Sequence, residues 1–174
     1  HWKLRLCVYY FMIIRSFIHV ILLTVIVLIV QLYIPAFSLN DLDIIADILI
    51  IFLTYMGFNY GRFHTIILGF IFGITQDLIT QIDLLGAMAL TKSAIGFGLG
   101  TLILYRNIWS AKSRMLFIFL MYLLHFMIFY FIKFNGVSVP ISISIQVIVI
   151  HSLLSFIILF VIDKSFFSHG VTSN

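Results

Sequence analysis

Residues 13–34 read Ile-Ile-Arg-Ser-Phe-Ile-His-Val-Ile-Leu-Leu-Thr-Val-Ile-Val-Leu-Ile-Val-Gln-Leu-Tyr-Ile and are closed by Pro35. An uninterrupted run of this kind is long enough to cross a bilayer, which takes about 20 mainly apolar residues. It is too long for the hydrophobic region of a signal peptide, and no small-residue cleavage site follows it. The chain starts at His1 rather than Met, so the natural start is expected to lie a little further upstream.

Five more apolar runs follow, giving spans at about 13–34, 42–58, 63–79, 84–105, 115–134 and 140–162. The composition agrees: of 174 residues, 63% are hydrophobic and 9% charged, with a mean hydropathy of +1.23. A soluble domain carries about 25% charge to cover its surface, so the expected solvent here is lipid. Backbone groups in lipid must be satisfied internally, which favours helices. A β-barrel would need alternating segments of about 10 residues. Only residues 137–145 alternate in that way, and they read as a turn leading into the sixth span. The expected fold is therefore an all-α integral membrane protein, a compact bundle of six transmembrane helices forming a single domain over residues 1–174.

Lys and Arg set the orientation. Lys3, Arg5 and Arg15 precede or open the first span; Arg62, then Arg106, Lys112 and Arg114, and finally Lys164 occupy alternate loops on one side. Lys133 lies on the other side, with Asp41, Asp43 and Asp83. The positive-inside rule then puts both termini in the cytoplasm. Tyr9, Tyr10, Tyr33, Tyr60, Tyr105, Trp109 and Tyr130 fall near span ends, where interfacial aromatics belong. The net charge of +4 has no Lys/Arg-rich run behind it, which excludes a nucleic-acid partner. The single cysteine, Cys7, excludes an internal disulfide framework and reads as a small buried hydrophobe, with palmitoylation as the alternative.

Ionisable groups inside a membrane are costly and mark structure or function. Three are expected, Asp47, Asp77 and Lys92, all in the outer half. Counting from the outer ends at 1.5 Å per residue, Asp47 lies roughly 8 Å deep, Lys92 roughly 12 Å deep, and Asp77 close to the boundary. Lys92 is expected to pair with Asp47 or Asp77, either as a clamp between spans two to four or as an ion or substrate site. Gln76 and Gln81 lie nearby in sequence. His125 and His151 fall near the centres of spans five and six and read as satisfied buried histidines; a metal site would need three or four ligands. His19, in span one, is a weaker candidate still. Small residues four apart let helices approach closely in lipid. They occur as Gly57/Gly61, Gly69/Gly73 and Gly96/Gly100, with Gly98 inside the last pair, and suit either internal packing or a partner interface. No nucleophile elbow, zinc-protease or phosphate-loop motif occurs, so no enzymatic activity, cofactor or metal is expected. The motifs of an aspartic lipoprotein signal peptidase are missing as well.

The stretch Gly69-Phe-Ile-Phe-Gly73-Ile-Thr-Gln-Asp77-Leu78, running on to Leu85-Gly86-Ala-Met-Ala-Leu90, resembles the rod shape-determining MreD family. It covers about an eighth of the chain. Where that family commonly has a Pro-Asp start to its second span, this chain has Asn40-Asp41-Leu42-Asp43. The resemblance implies a non-enzymatic component of the bacterial elongasome in the cytoplasmic (inner) membrane. Its partners would be an MreC-like bitopic scaffold and, directly or indirectly, the RodA polymerase, its transpeptidase and the MreB filament. Carried over residue by residue, Gly69 and Gly73 would thin the third span, Asp77 would end it, and Gly86 would allow a tight return into the fourth; Leu85 and Leu90 match less surely. The six-span layout is also similar to the substrate-binding subunits of energy-coupling-factor vitamin transporters. Those often carry an A-x-x-x-A motif in the first helix, and residues 13–34 contain no alanine.

Overall fold

The computed structural model describes residues 18, 20–39, 42–80, 84–136 and 139–166. Expectations for Cys7, His19, Asp41, Gln81, Asp83 and the basic residues before position 18 lie outside these. The chain divides into two units, His1–Ile34 and Pro35–Asn174. The first contributes helix α1, Val20–Leu32, apolar except for Thr24 and Gln31. The Thr24 hydroxyl is turned back on its own helix, donating to the Val20 carbonyl at 2.7 Å.

The second unit begins with an antiparallel strand pair, β1 (Ala36–Leu39) and β2 (Leu42–Ile45), in the register Ala36↔Ile45 to Leu39↔Leu42. The all-α expectation is corrected here, and so is the second span. Residues 42–45 are extended, and helix α2 runs only over Ile48–Tyr60. The reason is local. Asp47 has an extended backbone and its side chain accepts from the Ile50 N–H at 3.2 Å. A carboxylate in that role marks a helix start and serves the unpaired donors of the first turn. At 1.5 Å per residue α2 is about 20 Å long, short of a bilayer core of about 30 Å. It is nonetheless the innermost helix. Residues 49–54 and 56–58 are all buried, and it packs against α3, α4, α5 and α7. A helix that is apolar all round is one surrounded by other helices.

Gly61, with φ +81°, turns the chain from α2 into α3 (Arg62–Thr80). Helix α4 (Ala87–Leu99) returns beside α3, and the two form the most extensive interface of the unit. Gly98 and Thr101 then make a tight turn, with the Thr101 hydroxyl on the Gly98 carbonyl at 2.7 Å, before the short α5 (Leu102–Tyr105). Helix α6 (Ala111–Lys133) is capped by Ser110, which accepts from Ser113 N–H at 3.3 Å. It begins four residues earlier than residue 115, where the apolar run suggests. Arg114 accounts for the extra turn. It is buried, and its guanidinium donates to the carbonyls of Arg106 and Trp109, both at 3.1 Å, tying down the α5–α6 connection. Helix α7 runs over Ile141–Phe166, past residue 162, and so contains Asp163.

Four helical stretches are long and apolar enough to cross a membrane: Arg62–Ile79, Ala87–Tyr105 (α4 and α5 together), Ala111–Lys133 and Ile141–Lys164. Val20–Leu32 and Ile48–Tyr60 are shorter apolar helices. The outward faces are apolar too. Ile67, Phe70, Ile71 and Leu78 on α3, and Ile145, Val149, Leu153, Ile157 and Phe160 on α7, are exposed. On α7 they recur every three or four residues, one continuous stripe. Contiguous apolar surface of this extent calls for lipid or protein, not water. The chain is a helical, multi-pass membrane protein by these criteria.

Candidate functional site

The α3–α4 pair is built by its glycines. A Cβ on Gly69 would lie 2.5 Å from the Lys92 carbonyl oxygen, and one on Gly96 would lie 2.7 Å from that of Thr65. A Cβ on Gly73 would overlap the Ala89 backbone, and one on Gly100 that of Arg62. The two G-x-x-x-G motifs therefore lie staggered along one antiparallel interface, Gly69 and Gly73 against Lys92 and Ala89, Gly96 and Gly100 against Thr65 and Arg62, each glycine seated on the opposing main chain. Gly57 of α2 meets the backbone of Leu99 and Gly100 in the same way. Within the chain, Gly69, Gly73, Gly96 and Gly100 all serve internal packing. Leu85 and Leu90, by contrast, point outward, at 56% and 61% exposure.

Asp77 closes the same hairpin. It does not end α3, which continues to Thr80. Its carboxylate instead crosses to the N-terminus of α4, accepting from Gly86 N–H at 2.9 Å, Met88 N–H at 3.1 Å and Ala89 N–H at 3.2 Å. A fully buried carboxylate is tolerable when it meets three donors at the positive end of a helix. Gly86, at φ +97°, provides the left-handed residue that aims those donors at Asp77. Asp77→Ala orphans them, and the expected loss is about 2 kcal/mol, the upper end for a lost N-cap. Thermal unfolding in detergent measures it, with Asp77→Asn expected to lose less.

With Asp77 so engaged, the choice between carboxylates for Lys92 is decided. The Lys92 ammonium, fully buried on α4, bonds Oδ2 of Asp47. Asp47 lies at the mouth of α2 rather than within a helix, so its depth does not follow from counting helical residues. Its Oδ1 caps α2, so one carboxylate holds a helix start and a lysine from another helix. His125 of α6 completes the cluster: its Nε2 lies 3.5 Å from Asp47 Oδ2. Three chain segments meet at this atom.

The histidines differ from each other. His151 is satisfied: Nε2 donates to the Ile45 carbonyl at 2.7 Å, which leaves Nδ1 to accept from the Tyr130 hydroxyl at 3.1 Å. It thereby fastens β2 to α7, and Phe126 stacks on its ring with centroids 3.8 Å apart. His125 is wholly buried, and among the described residues neither ring nitrogen makes a well-formed hydrogen bond beyond the 3.5 Å approach of Nε2 to Asp47. Leaving a buried polar group so costs about 1–3 kcal/mol. The expectation of satisfied histidines therefore holds for His151 and fails for His125. Among the described residues no group of three or more His, Cys, Asp or Glu is arranged to hold a metal ion.

Two further polar ties cross the interior. The Thr54 hydroxyl donates to Ile50 O at 2.9 Å, so Tyr122 donates to Thr54 Oγ1 at 2.8 Å. Tyr55 donates to Asp163 at 2.8 Å, joining α2 to α7. Asp163 is fully buried, and it lies one residue past the apolar run that ends at Ile162, so hydropathy does not place it in the span. Tyr55→Phe removes one donor from that carboxylate, with an expected loss of about 1–3 kcal/mol in a denaturation titration. His125 had a readable signal: it follows Tyr122 by three residues and so shares its buried helix face.

Compared with protein-family models, curated proteins and solved structures, the chain has no match.

Proposed function

We propose that the chain is a six-span, non-enzymatic component of the bacterial elongasome. In this reading it lies in the cytoplasmic membrane with both termini inside, binds an MreC-like bitopic scaffold, and so supports lateral peptidoglycan synthesis and rod shape. The observation that supports it is the α3–α4 hairpin. The residues carrying the family resemblance, Gly69, Gly73, Asp77 and Gly86, form one interlocking unit of close-packed glycines, a left-handed turn and a buried cap. Members of the motif that need one another to build a single hairpin would be kept together for a structural reason, which supports the reading. With the glycine faces used internally, the scaffold helix would dock on the apolar outward faces that include Leu85 and Leu90. Helices in lipid associate by packing and polar contacts rather than by a hydrophobic drive.

Depleting the chain from a rod-shaped host tests the proposal. The expected result is rounding of the cells with loss of side-wall synthesis. Unchanged shape together with loss of vitamin uptake would instead support a substrate-binding transporter subunit. One observation favours that second reading, the buried Asp47–Lys92 pair with an unpartnered His125 beside it.

A further inference from the structure

Asp47 Oδ2 is approached by basic side chains from two helices. Lys92 of α4 bonds it, and Nε2 of His125 of α6 lies 3.5 Å away. The other oxygen is committed to the α2 cap. The remaining titratable groups around the cluster are His151 on α7, Tyr122 on His125's own helix, and Asp77 of α3, which acts on Lys92 through space. His151, Tyr122 and Asp77 all have hydrogen-bond partners; among the described residues His125 has only the 3.5 Å approach of Nε2 to Asp47, and Nδ1 has none. In a lipid-embedded interior one carboxylate balances one cation, and a second cation would be uncompensated. Two proton placements share that neutral total: on Lys92 with His125 neutral, or on His125 with Lys92 a neutral amine.

We propose that Asp47, Lys92 and His125 form an intramembrane proton-binding site, in which His125 is the alternative cation to Lys92 on the Asp47 carboxylate. His125 keeps Nε2–H toward Asp47 and gains its second proton at Nδ1. When it does, one proton leaves Lys92 Nζ to water and one arrives from water at Nδ1, so the net charge of the site is unchanged. The exchange moves the charged tie on the α2 cap from α4 to α6 with no net uptake of protons, so the balance between the two placements does not itself depend on pH. The site is independent of which partner the protein binds.

Imidazole 15N spectra of the full chain, histidine-labelled in phospholipid nanodiscs, test this, with His125 assigned from the resonance lost in His125→Gln. In the wild type the expected His125 is neutral with the proton on Nε2. In Lys92→Met it is expected to become the doubly protonated imidazolium on acidification, standing in for the missing ammonium. The sign for stability follows. A histidine that gains a partner stabilises the fold when protonated, so the melting temperature of Lys92→Met falls as pH rises through that titration. Lys92→Met/His125→Gln loses this pH dependence. A bare Nε2 in the wild type overturns the proposal, and this readout needs only the assignment variant His125→Gln to fold. So does a His125 in Lys92→Met that stays neutral at every pH.

Discussion

Gly73→Leu is expected to disrupt the fold itself, not merely an assembly built on it. The added Cβ would overlap the main chain of Ala89 on α4. Adding methylenes to a packed core typically costs about 1–3 kcal/mol when side chains can shift. Here the opposing atoms are backbone, and the neighbouring contacts of Gly69, Gly96 and Gly100 hold the same register, so the helices have to separate along their length. The loss is therefore expected to exceed that range. Little monodisperse protein would survive detergent extraction, and what remains would melt far below the wild type. Leu90→Ala, on the outward face of α4, is the matched control and is expected to melt close to the wild type. A Gly73→Leu variant with wild-type melting would show that α3 and α4 do not meet as described.

The second large effect comes from splitting the Asp47–Lys92 pair. Lys92→Met leaves a buried carboxylate with only its cap bond and the neighbouring His125. Removing one partner of a buried ion pair costs about 3–5 kcal/mol, because the remaining charge is stranded. That loss is expected at neutral pH. Replacing both groups, as Asp47→Leu with Lys92→Met, removes the stranded charge and restores most of the stability, less the contribution of the α2 cap. Denaturation of the two single variants, the double variant and the wild type gives the coupling directly. Additive losses would contradict the pairing.

The outline of the helices was legible in the sequence, and the reasons are visible in particular residues. Helices α3 and α7 carry long apolar runs, and α3 starts and stops within a residue of the expected 63–79. The opposition of Lys92 to one of two aspartates followed from the cost of a lone charge in lipid. What hydropathy did not show is the strand pair before α2. The sequence Leu42-Asp-Ile-Ile45 is as apolar as a helix start, and only the cap at Asp47 and the turn-favouring Asn40-Asp41 mark the boundary. Nor did it show which way the glycines face, because a G-x-x-x-G reads the same whether its partner helix lies in the same chain or in another. The role of His125 depends on three segments meeting at one carboxylate oxygen, and spacing along a single helix does not reveal that.

The measurement that bears most directly on the proposed function is what accompanies the tagged full-length chain when it is purified from its native membrane in mild detergent. The account predicts a bitopic scaffold with a single membrane-spanning helix, together with components of the side-wall polymerase. Recovery of ATP-hydrolysing transporter subunits and a bound vitamin, with no such scaffold, would contradict it.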